Sequence, residues 1–108
     1  MTQPRLAAGV LVSALIRRIE AEGGSAVVLS KGDATSGAML VQLADRGIAG
    51  ALVERRLGID GYEWAETGPS DRSQQTDYLA RRRRGDPDLW VLELDHRDAG
   101  SILREIAS

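Results

Sequence analysis

The chain has 108 residues, 43% hydrophobic and 28% charged, with 14 basic and 16 acidic side chains and a formal net charge of −2. That is one domain of sequence, residues 1–108, with globular rather than disordered composition. The absence of cysteine excludes disulfide scaffolds, thiol nucleophiles and cysteine-ligated metal centres, and the slightly negative balance is the wrong sign for gripping nucleic acid over the whole surface.

The longest apolar stretch, residues 6–16, falls short of the roughly 20 residues a membrane helix needs. It follows Arg5 and has the length of a signal-peptide core. Arg17, Arg18, Glu20 and Glu22 come directly after it, however, and read better as the solvated face of a helix. A cytoplasmic protein without membrane attachment is expected. That helix is predicted over residues 7–22, because Val12, Leu15, Ile16 and Ile19 recur on one face. Gly23 and Gly24 end it, since glycine enters the left-handed cap without steric cost.

The period then changes. Residues 26–29, Ala-Val-Val-Leu, form a short apolar run of the kind buried on both faces of a sheet. Residues 31–37 carry turn chemistry, and residues 38–43 read as a second strand through the alternation of Met39, Val41 and Leu43. The two strands are predicted to pair as an antiparallel hairpin. Residues 45–50 read as another turn. Residues 51–56 and 61–65 are two more strands, continuing a meander.

A second helix is predicted over residues 71–84, capped by Ser70 or a neighbouring hydroxyl, with Asp71 at its positive end. Its only large apolar residues are Tyr78 and Leu79, so it is a peripheral element. Asp86-Pro87-Asp88 breaks the chain, residues 89–94 form a last strand, and residues 100–107 a short final helix. The resulting class is α+β: a mainly antiparallel sheet of four to five strands, with N-terminal, middle and C-terminal helices packed mostly on one face.

Few residues are arranged for chemistry. Arg81 to Arg84 invite a phosphate-binding reading, but four consecutive helical residues spread over about 300° of circumference. Their place in the last helical turn, beside Asp86 and Asp88, fits a salt-bridged helix end. Lys31 is the only lysine and would have to serve any amine chemistry. Gly32 and Gly37 are spaced like the front of a phosphate loop, yet Ala38-Met39 stands where lysine and a hydroxyl should follow. His96 is the only histidine. Strand alternation separates it from Glu93 and Asp95, so no metal ligand set is expected, and it reads as an exposed or helix-capping residue. No Gly-x-Ser-x-Gly elbow is present to build a hydrolase triad, and the segment from Asp86 to Asp95 lacks the lysine of a metal-dependent nuclease. Trp90 reads as core, with an indole N–H that needs a partner.

Several segments together resemble a known family. They are Ala14-Leu15-Ile16-Arg17-Arg18, Gly24 to Asp33 with Gly37-Ala38-Met39-Leu40-Val41, Asp77-Tyr78-Leu79-Ala80-Arg81-Arg82, and Asp86-Pro87-Asp88-Leu89-Trp90-Val91-Leu92-Glu93. The chain is similar along most of its length to the bacterial domain-of-unknown-function family numbered 1491. Residues 47–73 match least and read as a variable loop region. The resemblance implies one small domain in a bacterial cytoplasm and assigns no catalytic residue.

The expectation is therefore a non-catalytic module that needs no cofactor or metal and binds a protein partner or itself, as a homodimer, through an open strand edge. Lys31, Asp33, Arg17, Arg81, Asp88 and Trp90 are its candidate contact residues. One alternative is nucleic-acid or anion binding through the arginine-rich helix ends, which requires Arg17 and Arg18 to lie beside Arg81 to Arg84. Another is a small-molecule-binding protein or enzyme that uses the Lys31-Gly32-Asp33 loop.

Overall fold

Leu11, Val12, Leu15 and Ile19 share one face at three-and-four spacing, and all four are buried on helix α1, Ala8–Ala21. The computed structural model describes residues 7–35, 37–59 and 61–107. Arg5 and Leu6 of the apolar stretch, Ser36 of the glycine loop and Asp60 of the second hairpin lie outside the described residues. At the end of α1, Gly23 takes a φ of 87° and the Gly24 N–H donates to the Ile19 carbonyl at 2.9 Å. This is the glycine-terminated cap that the sequence predicts.

The strands that follow are β1 (Ser25–Ser30), β2 (Met39–Asp45), β3 (Ile48–Gly58) and β4 (Gly61–Thr67). Helix α2 (Arg72–Gly85), strand β5 (Trp90–Asp95) and helix α3 (Ala99–Ala107) complete the chain. The five strands form one sheet in the order β1-β5-β2-β3-β4. The meander of β2, β3 and β4 is as expected, and the expected turn over residues 45–50 shortens to Arg46-Gly47. Both residues have positive φ, 51° and 79°, as a tight two-residue hairpin of primed type requires.

The predicted hairpin between β1 and β2 does not form. Strand β5 lies between them, antiparallel to β1 and parallel to β2. Turn residues report only that the chain reverses. Which strand it then meets depends on β5, far along the sequence, whose two faces are both apolar. β1 is consequently an edge strand. The expectation that residues 26–29 are buried on both faces fails, because Val27, Val28 and Leu29 are 49%, 38% and 44% exposed.

Strand alternation sorts the core into two layers. Met39, Val41, Val53, Trp90, Leu92 and Leu94 face α1 and α3. Leu40, Leu52, Leu89 and Val91 face the other way, onto Leu79 and Tyr78 of α2. Helices α1 and α3 thus share a face, whereas α2, expected to pack mostly with them, covers the opposite one. β2 and β5 are apolar on both sides and need both covers.

Under α2 the covered face is partly polar. The β2–β3 register shifts between Gln42 and Ala44, so that Leu43 stands opposite both Gly50 and Ala51. Such a bulge takes backbone groups out of the ladder, and two fully buried glutamines take them up. The Gln42 amide donates to the carbonyls of Gly50 and Leu43, both at 2.9 Å. The Gln75 amide, from α2, donates to Gly50 at 2.9 Å and Pro69 at 3.0 Å. Gln75, Tyr78, Leu79 and Arg82 stand at i, i+3, i+4 and i+7, so the stripe that docks α2 is half polar by sequence. Asp71, one residue after the expected Ser70, caps this helix through the N–H groups of Ser73 and Gln74.

Buried acceptors left without donors are costly. The change Gln75→Ala is expected to destabilise the fold by about 1–3 kcal/mol, read from urea unfolding midpoints at unchanged slope. A loss below about 0.5 kcal/mol, the range of ordinary surface substitutions, would show that the glutamine does not hold α2 to the bulge.

Candidate interaction surface

The Lys31-Gly32-Asp33 segment packs directly on Asp86-Pro87-Asp88-Leu89-Trp90. The Asp33 N–H donates to the Asp88 carbonyl at 3.0 Å, and the Trp90 N–H to Ala38 at 2.8 Å. The buried Trp90 indole donates to the Asp33 carbonyl at 2.7 Å. A Cβ on Gly32 would lie 2.2 Å from the Asp88 carbonyl oxygen, and one on Gly37 2.4 Å from the same atom. Both glycines are there because backbone meets backbone. The loop also completes α1. Its Thr35 and Ala34 carbonyls accept the first helical N–H groups, from Ala8 and Gly9, at 3.2 and 2.9 Å. These are among the donors a helix start leaves unpaired.

Among the candidate residues, this clasp brings together Asp33, Asp88 and Trp90, chiefly through backbone atoms and an indole. The Asp33 carboxylate turns inward on its own loop to accept the Thr35 N–H at 3.0 Å. Lys31 and Asp88 are exposed beside it. Arg17 and Arg81 are exposed elsewhere, on α1 and α2. Those two helices cover opposite faces of the sheet, so the arginine clusters of the nucleic-acid alternative do not lie side by side.

Specific arginines are also engaged. Arg18 bridges Glu22 at 2.6 Å and Glu105 at 2.7 Å, joining α1 to α3. Arg82 makes a forked pair with Glu54 of β3, at 2.8 and 3.2 Å, and donates to the Tyr78 hydroxyl at 2.8 Å. That hydroxyl is 3.0 Å from Thr67 of β4. Hydrogen bonding to Arg82 holds the Glu54 carboxyl below its ordinary range, against the opposing effect of burial. Arg82 is therefore a cross-link between α2 and the sheet.

At the opposite end of β5, Asp95 and His96 tie turns together. The Asp95 carboxylate accepts the Arg46 and Gly47 N–H groups at 2.9 and 2.8 Å. His96 accepts the Asp98 N–H at Nδ1, 2.9 Å, at the start of α3. Its Nε2 then carries the proton and donates to the Glu22 carbonyl at 3.1 Å. It is the helix-capping histidine the sequence allows. A shallow cleft of about 630 Å³ lies over these groups, lined in part by Gly24, Arg46, His96 and Arg97. Among the described residues, no group of three or more histidines, cysteines or carboxylates could hold a metal ion, and no helix is long and apolar enough to cross a membrane.

The two sheet edges differ. β4 carries Glu63 and Glu66, both exposed and on opposite faces of the strand. Such charges discourage pairing with another strand. β1 reads Ser-Ala-Val-Val-Leu-Ser, without charge or proline. The sequence contained that signal in the missing charges of residues 25–30, but not the strand order that exposes it.

A sequence profile described as "Protein of unknown function (DUF1491)" matches residues 6–104. The chain belongs to the DUF1491 family. Its fold matches the crystal structure of a DUF1491 family protein from Caulobacter crescentus, at 39% identity over 88% of this chain and 92% of that one, with a TM-score of 0.77. An NMR structure of a DUF1491 family protein from the same organism matches at 35% identity over 97% of each chain, with a TM-score of 0.80. A solution structure of a protein from A. tumefaciens matches at 29% identity, covering 97% and 98%, with a TM-score of 0.72. No curated protein matches the chain. The DUF1491 match runs through residues 47–73, which here form β3, β4 and the cap of α2 rather than a loop region.

The clasp implies that the family-like segments are conformational. Gly32→Ala is expected to cost at least about 1–3 kcal/mol, the usual scale of overpacking, or about 4–8 °C of Tm per kcal/mol in a domain this size. Lys31→Ala should stay within about 0.5 kcal/mol. Equal losses in thermal unfolding would contradict the assignment. Glu54 yields a pH prediction. Because its folded value is depressed, its pairing contributes fully at neutral pH and is lost as pH falls through that value. The stability gap between the native chain and Glu54→Gln should therefore be widest near neutrality and close below the ordinary glutamate value of about 4.3. A gap unchanged in acid would exclude the pair as its source.

Proposed function

We propose that the chain is a non-catalytic interaction module of the bacterial cytoplasm whose docking element is the β1 edge. The observation that carries this reading is the contrast between edges: β4 is guarded by Glu63 and Glu66, whereas β1 presents Val27, Val28 and Leu29 to solvent on an uncharged strand. An open strand edge offers a row of backbone donors and acceptors, and an added strand satisfies them while covering the flanking side chains. The register shift after Val28 leaves Ser25 to Val28 as the regular part of the edge, a length suited to a short strand pairing.

The bacterial setting is supported by relatives from Caulobacter crescentus and A. tumefaciens. Against reading the apolar stretch as a cleaved leader stands α1, whose Leu11, Leu15 and Ile19 are at most 1% exposed. Cleaving this stretch as a leader would strip the core of a layer. The enzyme alternative draws no support from Lys31, which stands exposed beside a loop held by structural bonds.

The test is a photoactivatable residue placed at Val27 in living cells, with the same residue at Glu66 as the comparison. Covalent adducts from position 27 and few from position 66 are expected. Absence of adducts from position 27 would refute docking at β1.

A further inference from the structure

We infer that the occupant of the β1 edge is a second copy of this chain, its β1 running antiparallel to the first across a two-fold axis. The inference rests on the reading of β1 as the docking edge and adds the identity of the partner.

Self-complementarity singles out this occupant. Residues directly opposite in an antiparallel pair share the same hydrogen-bonding role. A strand paired with its own copy must therefore set one residue opposite itself, and the apolar run of residues 26–29, centred between Val27 and Val28, favours one of those two there. With Val27 on the axis Val28 faces Ala26 of the other copy, and with Val28 on the axis Val27 faces Leu29, so either choice sets the valines of one chain against apolar side chains of the other. The strand itself carries no charge that would oppose its own image.

The nearest flanking charges agree. Glu22, exposed at the end of α1 and already paired with Arg18, precedes the strand, and the exposed Lys31 follows it. Antiparallel alignment brings the Lys31 end of one copy toward the Glu22 end of the other at both limits of the pairing. Parallel alignment would set like charges beside like. The closed two-fold also consumes both β1 edges, which ends assembly at two. The remaining outer edges are the β4 strands with Glu63 and Glu66. The product is one continuous sheet with the glutamate-guarded strands outermost.

The chain has no cysteine, which makes the geometry directly readable. In the full-length protein, Val27→Cys and Val28→Cys each place one thiol per chain on the edge, and Glu66→Cys places one on the opposite edge. The cysteine at the axis should form a disulfide-linked dimer under mild oxidation several-fold faster than Glu66→Cys, because facing Cβ atoms across such a pair lie within reach of a disulfide. Sedimentation of the unmodified chain should show a dimer in the micromolar range. Val27→Lys should shift it to a monomer with unchanged far-UV circular dichroism. If that variant unfolds, Val28→Lys supplies the same test.

A monomer up to high micromolar concentration overturns the second-copy assignment, as does a dimer that survives both lysine variants. Photo-adducts of Val27 with the mass of a different protein would leave the docking edge standing while removing this occupant. Absence of any adduct would remove both.

Discussion

One backbone approach organises the molecule. Gly32 and Gly37 bring the 31–37 loop against the Asp88 carbonyl, closer than any side chain would permit. The Trp90 indole, which would be expensive to bury unpaired, finds its acceptor on the same loop. From this contact several consequences follow. β5 enters the sheet between β1 and β2. The first amides of α1 are satisfied by loop carbonyls rather than by a side-chain cap. β1, displaced from β2, becomes the outermost strand.

The same contact explains which parts of the fold were legible in the sequence. The α1 stripe, the glycine cap at residues 23 and 24, and the β2–β3–β4 meander are set by neighbours in the chain, and periodicity and turn chemistry report neighbours. The position of β5 is set by a non-local match between a glycine pair and a tryptophan more than fifty residues away. Nothing in the 31–37 loop distinguishes a hairpin turn from a crossover strapped to a distant strand. The burial expected for residues 26–29 fails for a related reason. A short apolar run has the same composition in the centre of a sheet as on an unprotected edge, and only strand order separates the two.

Polar residues were harder to place than apolar ones. The arginine run looked like a charge cluster, yet Arg82 differs from its neighbours because it continues the Gln75, Tyr78, Leu79 stripe by one turn. That position turns it toward Glu54 while Arg81, Arg83 and Arg84 face solvent. Gln75 and Gln42 were invisible as core residues because glutamine is usually exposed. They are buried here because a sheet bulge needs donors, and a bulge leaves no mark in composition. Among the candidate contact residues, Asp33, Asp88 and Trp90 are neighbours. Their proximity comes from backbone packing and not from a shared cleft.

Edge asymmetry connects this architecture to a role. A sheet of this size covered by helices on both faces has no further need of apolar surface at its margin. An outer strand of this sheet can carry charge, as β4 does with Glu63 and Glu66. An uncharged, apolar outer strand also carries a standing hazard of uncontrolled pairing. Retaining it is coherent when a defined strand covers it. The proposed two-fold partner would do so with the fewest assumptions, since it requires no surface beyond the one already present, and it would convert the exposed margin of each chain into the interior of a shared sheet.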